Sequence, residues 1–196
     1  MSSQSAAAVD ILYAFAAELG SRTAWGDGPC LYTIRMSRGQ CVLDPVPVPP
    51  LWWVSGSPAE VLNNIAGTAA DVRGIPGIRM RPDLYGVAFR FETRDLPWDA
   101  SGPGPRDQAE ADAAARQIRA RRGRIEIRVL AGADRTGTTY ESRQQRGQPH
   151  VFSTVFTPGR GRGLTGAVPD ALRRLTTALT GVPLLQQADP GPEAGR

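Results

Sequence analysis

The sequence predicts an α+β fold: an antiparallel or mixed sheet of about six strands, with about four helices packed mainly on one face. Three observations carry that reading. Apolar residues alternate with period two along short runs, most clearly from 125 to 156, as strands with a buried face require. Between those runs lie stretches with apolar spacings of three and four, and two of them open on a helix-capping signature. Glycine and proline, 22 and 17 of 196 residues, punctuate the boundaries.

Residues 6–19 place Ala8, Ile11, Leu12, Phe15 and Leu19 on one helical stripe, which Gly20 ends. Residues 23–29, TAWGDGP, are turn-rich. Two hairpin strands, 31–36 and 41–43, then flank Ser37-Arg38-Gly39-Gln40, with Tyr32, Ile34 and Met36 on one face. Pro45, Pro47, Pro49 and Pro50 make an extended, edge-like segment, because proline has no ladder donor. Trp52 and Trp53 read as a strand entering the core with one indole in and one out, in preference to a proline-rich docking motif.

Ser57-Pro58-Ala59-Glu60 is a capping box with proline at the first helical position. Val61, Leu62, Ile65, Ala69 and Val72 supply the buried face behind it. Residues 85–91 predict a strand with Tyr85, Val87, Phe89 and Phe91 on one side. The stretch 96–106, with DASGPGP at its centre, predicts a flexible loop. Asp107 to Glu110 repeats the cap before an alanine- and arginine-rich helix running to Arg122. A strand, a helix and a strand from 85 to 130 predict a right-handed crossover joining parallel strands.

Ile125, Ile127 and Val129 then alternate with Glu126, Arg128 and Leu130. Thr136-Gly137 and Arg146-Gly147-Gln148-Pro149 supply two turns around a strand from 138 to 145. Phe152, Thr154 and Phe156 alternate with Val151, Ser153 and Val155. Charges on one side of the first two strands predict that this side meets water. A last helix carries Val168, Leu172, Leu175 and Leu179, and Gly181-Val182-Pro183 ends it. Residues 1–186 are thus expected to form a single globular domain, with 187–196 a disordered tail.

The chain contains no lysine, so all 23 basic residues are arginine. Arginine, glycine, proline and alanine are residues of GC-rich codons, which discounts the basic balance as a sign of nucleic acid. The distribution is harder to discount. Residues 115–175 hold 13 arginines against Glu126, Asp134, Glu141 and Asp170, a net +9, whereas residues 1–114 hold 9 against 13 acids, a net −4. Such a field attracts polyanions or an acidic partner surface.

Cys30 and Cys41 are expected about 20 Å apart along the hairpin. A disulfide needs Cα atoms within about 7 Å, so two free thiols and a reducing, cytoplasmic compartment follow. Residues 1–8 lack the basic start of a secretory signal, and no apolar run approaches the roughly 18 residues of a membrane span.

Gly161-Arg162-Gly163-Leu164-Thr165-Gly166 matches G-x-G-x-x-G between a strand and a helix. Arg160 and Arg162 with the amides of Gly161, Gly163 and Gly166 form a candidate anion site. A dinucleotide fold does not fit, since the preceding strand belongs to an antiparallel meander and no acidic residue ends a second strand. Arg116, Arg119 and Arg122 share a helix face at spacings of three and form the second candidate anion patch. His150 is the one histidine, and neither a metal set nor a catalytic triad can be built around it. The pairs Asp134 with Glu141 and Glu92 with Asp95 stand where turns and solvated strands carry carboxylates. No catalytic residue, metal ligand or cofactor is therefore predicted. The expected function is non-catalytic binding through contacts with a protein partner, away from membranes. Polyanion binding, to nucleic acid or phosphate, through 116–124 and 160–166 is the alternative, and an enzyme acting on a phosphorylated metabolite comes third.

Overall fold

In a computed structural model, residues 3–37, 39–54, 56–71, 83–95, 125–158, 164 and 166–181 are described. Six strands, β1 (Cys30–Ser37), β2 (Gln40–Val46), β3 (Leu84–Asp95), β4 (Ile125–Asp134), β5 (Thr139–Gln145) and β6 (Val151–Phe156), form one open sheet. Every neighbouring pair is antiparallel, in the order β2-β1-β3-β4-β5-β6. The described helices are α1 (Ser3–Gly20), α2 (Pro50–Val54), α3 (Pro58–Asp71) and α4 (Ala167–Thr180). The chain is α+β, with α2, α3 and α4 on one face and α1 on the other.

The first face is aliphatic. Val61, Leu62, Ile65 and Ala69 of α3 and Leu172, Leu175 and Leu179 of α4 meet Val87, Phe89, Ile127, Val129 and Ala131 of the sheet. These positions follow the expected helical and strand periods, and burial of each large side chain contributes about 1.5–3 kcal/mol. Helix α3 starts as its sequence requires: the Glu60 carboxylate accepts the Ser57 N–H at 2.7 Å, and Pro58 occupies the first turn. Helix α4 ends on Gly181, whose left-handed φ of 67° lets its N–H reach the Thr177 carbonyl at 2.9 Å.

On the opposite face Ile11, Phe15 and Leu19 of α1 press on Tyr32, Ile34, Ala88, Leu130 and Tyr140. Gly132 makes that approach possible, because a Cβ there would stand 2.6 Å from Phe15 Cζ. Water was expected on this side of the central strands. Instead α1 and the loop after it cover it, and Arg128, Asp134 and Ser142 are fully buried.

Three further expectations change. The crossover between residues 85–91 and 125–130 does not occur, because β3 and β4 are antiparallel neighbours with Asp95 opposite Ile125. The chain therefore leaves and re-enters the sheet at one end, with no need to cross it. Tyr85 does not share a face with Val87, Phe89 and Phe91. The β1–β3 register skips it between Ile34↔Gly86 and Arg35↔Leu84, and this bulge turns its ring toward α1. Residues 50–54 form the short helix α2 in place of a strand, although Trp53 is the inner indole and Trp52 the outer one, as expected. The predicted loop 96–106, helix 107–122 and tail 187–196 lie outside the described residues.

Candidate functional site

Most of the anion-site residues read from the sequence, Arg119, Arg122, Arg160, Gly161, Arg162 and Gly163, lie outside the described residues. Gly166 is described: it precedes α4 with φ 123°, and its carbonyl accepts the Asp170 N–H at 3.1 Å. Beside it, Arg173 donates to the Leu164 carbonyl at 2.5 Å and to Asp170 at 2.6 Å, which fixes the entry into the helix. The described arginines of the basic segment are mostly engaged. Arg128 meets Glu92, Arg143 meets Glu141 and Arg146 meets Glu126. Arg174 reaches Asn63 at 3.1 Å, and Arg135 lies over the Tyr85 ring.

The densest polar chemistry is a cluster the sequence reading missed. It sits where the loop 21–29 folds back over β3 and β4. Arg128 projects from the centre of β4 and is fully buried. Its guanidinium donates to Glu92 Oε1 at 2.9 and 3.1 Å, to the Arg22 carbonyl at 3.2 Å and to the Ala24 carbonyl. Trp25 closes over it, with the guanidinium carbon 4.5 Å from the ring centre. The second Glu92 oxygen accepts the Gly26 N–H at 2.8 Å. Next to this pair Arg90, 4% exposed, donates to the Gly28 carbonyl at 3.2 Å and faces Asp27 at 3.5 Å.

Arg22 completes the cluster, reaching Glu18 at 2.8 Å and Asp27 at 3.4 Å. Tyr32 donates its hydroxyl to Glu18 at 2.6 Å, and burial together with that carboxylate holds the phenol well above its ordinary pKa. Guanidiniums and carboxylates here consume one another, and other donors of Arg90 and Arg128 go to backbone carbonyls of the loop, while the buried Arg90 Nε has no partner among the described residues. The cluster is therefore a clamp that fixes residues 21–29 on the sheet. Its charges are balanced internally, so it makes no net attraction for an anion. One clue lay in the sequence: a tryptophan inside a turn-rich loop has to cover something, and Arg128 follows Ile127 in a strand otherwise bound for the core.

Asp134 and Glu141 do not come together. Asp134 is buried on the α1 face and Glu141 projects from the other, where it meets Arg143. Asp134 organises the turn that follows it, accepting the N–H groups of Thr136 at 2.8 Å and Thr138 at 3.1 Å. It also accepts the hydroxyls of Thr136 and Tyr140, each at 2.6 Å. Burial and the Asp134 carboxylate raise the Tyr140 pKa well above the ordinary phenol. Glu92 is held by Arg128, as described, and nothing is described of the Asp95 side chain. His150 is exposed at the start of β6. Among the described residues no three histidine, cysteine or acidic side chains converge as metal ligands, and no helix is long and apolar enough to cross a membrane.

Large exposed apolar side chains among the described residues lie on α1 (Val9, Tyr13), on β6 (Phe152, Val155) and, closest together, on α2. Leu51 is 78%, Val54 82% and Trp52 43% exposed, whereas Trp53 turns inward against Phe89, their ring centres 5.1 Å apart and the planes tilted by 30°. Pro50 starts the helix and the extended Pro45–Pro49 segment leads into it, so the five residues stand out as a rigid knuckle. Between α2 and α3 opens a groove of about 560 Å³ lined by Trp52, Gly56, Glu60, Val61, Asn64 and Thr68. No protein-family model, no curated protein and no solved structure matches the chain.

Proposed function

We propose that this is a non-catalytic, cytoplasmic binding protein that acts through protein contacts, and that α2 is its docking surface. One observation carries the reading: three large apolar side chains, Leu51, Trp52 and Val54, are presented side by side on one five-residue helix. Adjacent exposed apolar residues on a rigid support mark interaction sites, whereas scattered ones do not. Tryptophan is also the side chain most often found at the energetic centre of an interface. The partner this knuckle fits is a protein with an apolar cleft that receives Leu51 and Val54 and an edge that enters the groove beside Trp52. The engagement of Arg128, Arg143, Arg146 and Arg173 by carboxylates supports this reading over polyanion binding by those side chains.

The test uses the full chain and the double variant Leu51→Ser/Val54→Ser, whose exposed positions leave the melting temperature unchanged. A partner captured by the wild-type chain is purified and titrated against both proteins. A loss of affinity of about tenfold or more in the variant supports the assignment. Equal binding by the two proteins overturns it, as does saturable turnover of a small molecule by the wild-type chain.

A further inference from the structure

The two edges of the sheet are built differently. β2 (QCVLDPV) carries Asp44, paired with Arg35, and an exposed Pro45 that interrupts the row of donors. Charge and proline are the usual guards of a strand edge. β6 (VFSTVF) has neither: it holds no charged residue, no proline and no glycine. No described strand pairs with its outer side. Alternate residues of any strand turn their N–H and C=O groups outward, so β6 offers a ready ladder to another strand.

We propose that β6 pairs antiparallel with β6 of a second copy of this chain, about a two-fold axis through Thr154. The register follows from geometry and sequence. A two-fold perpendicular to the sheet carries each face into the same face of the partner, so paired residues must stand an even number of positions apart. Centring on Thr154 places Phe152 opposite Phe156 of the second copy, Thr154 opposite itself and Phe156 opposite Phe152. Aromatic pairs and threonine pairs are favourable cross-strand partners, and here they recur symmetrically on one face. On the other face Ser153 meets Val155. Centring on Ser153 instead would set Phe152 opposite Thr154 and Phe156 opposite His150, which loses both aromatic pairs. The resulting sheet of two copies ends on β2 at both sides, so the guarded strand becomes the only edge and assembly stops at the dimer.

Sedimentation of the full chain over a range of concentrations gives the stoichiometry, and three proteins test the register. The wild-type chain is expected to reach twice the chain mass. Thr154→Lys, a change at an exposed position, sets two like charges across the axis and is expected to be a monomer that keeps a cooperative melt, at or slightly below the wild-type temperature. Mixing Thr154→Lys with Thr154→Asp is expected to restore the dimer as a heterodimer. A wild-type chain that stays monomeric overturns the proposal and leaves β6 to a different partner strand. A Thr154→Lys chain that still dimerises overturns it by placing the interface elsewhere, and failure of the mixture to recover the dimer overturns the register.

Discussion

The two faces of the sheet solve the problem of burial by different chemistry. Under α3 and α4 the sheet presents Val87, Phe89, Ile127, Val129 and Ala131, and the contact is dry and aliphatic. Under α1 and the loop 21–29 an apolar patch of Ile34, Ala88 and Leu130 meets Ile11, Phe15 and Leu19, and beside it Tyr32, Tyr140, Arg90, Arg128 and Asp134 form a web of buried polar groups. The first face is held by area removed from water and tolerates changes of shape. The second depends on its buried charges meeting opposite charges, because an unpartnered charge in that position costs more than the pair contributes. The same strands serve both faces, so β4 sends Ile127, Val129, Ala131 and Ala133 to the aliphatic face and Arg128, Leu130 and Asp134 to the other.

Substitutions on the two faces should therefore fail differently. The largest effect is expected at Leu175, fully buried in the middle of α4. Leu175→Asp puts a carboxylate among aliphatic side chains and should abolish the folded state, read as loss of the cooperative melt. Leu175→Ala should cost about 2–5 kcal/mol in chemical denaturation. An Asp variant that melts like the wild type would refute the packing of α4 on the sheet. Next comes Arg128→Met, which leaves Glu92 and the Arg22 and Ala24 carbonyls without their donor. A loss of about 3–5 kcal/mol is expected, toward the lower end because Glu92 retains contact with water. The sharper result is the double variant Arg128→Met/Glu92→Met. Removing both charges should cost less than the two single losses added together, a coupling that leucines far apart in the aliphatic face would not show. Simple additivity would mean that the pair is not the element that holds the loop.

The contrast also explains which parts of the molecule were legible in the sequence. On the aliphatic face burial follows period: spacings of four, three and four through Val168, Leu172, Leu175 and Leu179 marked α4, and the capping box marked α3. On the polar face burial runs against residue type. Glu92 and Arg128 carry the pattern of a solvated strand, and only their pairing beneath Trp25, some hundred residues away for Arg128, reverses that meaning. Local sequence does not encode a contact of that range. The same limit applies to Tyr85, whose face is set by a bulge against β1, and to the antiparallel return of β4, which depends on pairing across residues 96–124. The arginines read as the alternative, polyanion-binding surface, in 116–124 and 160–166, lie outside the described residues. The knuckle of α2 was visible only as a choice between an inner strand and a docking motif. Its prolines were legible and its exposure was not, because exposure depends on which indole reaches Phe89.

Charge is not absent from the aliphatic side; it is kept at the rim, and there its effect should be smallest and most sensitive to pH. Glu60 caps α3 in full contact with solvent. Its bond to the Ser57 backbone N–H, aided by the Ser57 hydroxyl, holds its carboxyl below the usual carboxylate range. The depressed value fixes the sign: the ionised cap favours the folded chain above the unfolded value of about 4.3 and loses that advantage as pH falls through the folded value. Glu60→Gln keeps an oxygen that can accept the Ser57 N–H but removes the charge from the positive end of the helix. The wild-type chain should therefore melt slightly above Glu60→Gln at neutral pH, by much less than either core variant shifts the melt. That gap should hold from pH 7 to pH 5, narrow below about pH 4 and close in acid, where the Glu60 carboxyl is neutral in both states. A gap that persists undiminished at the acidic end would mean that Glu60 stabilises α3 through shape alone. Electrostatics would then belong entirely to the buried face, and the difference between the two faces would be sharper than the capping geometry implies.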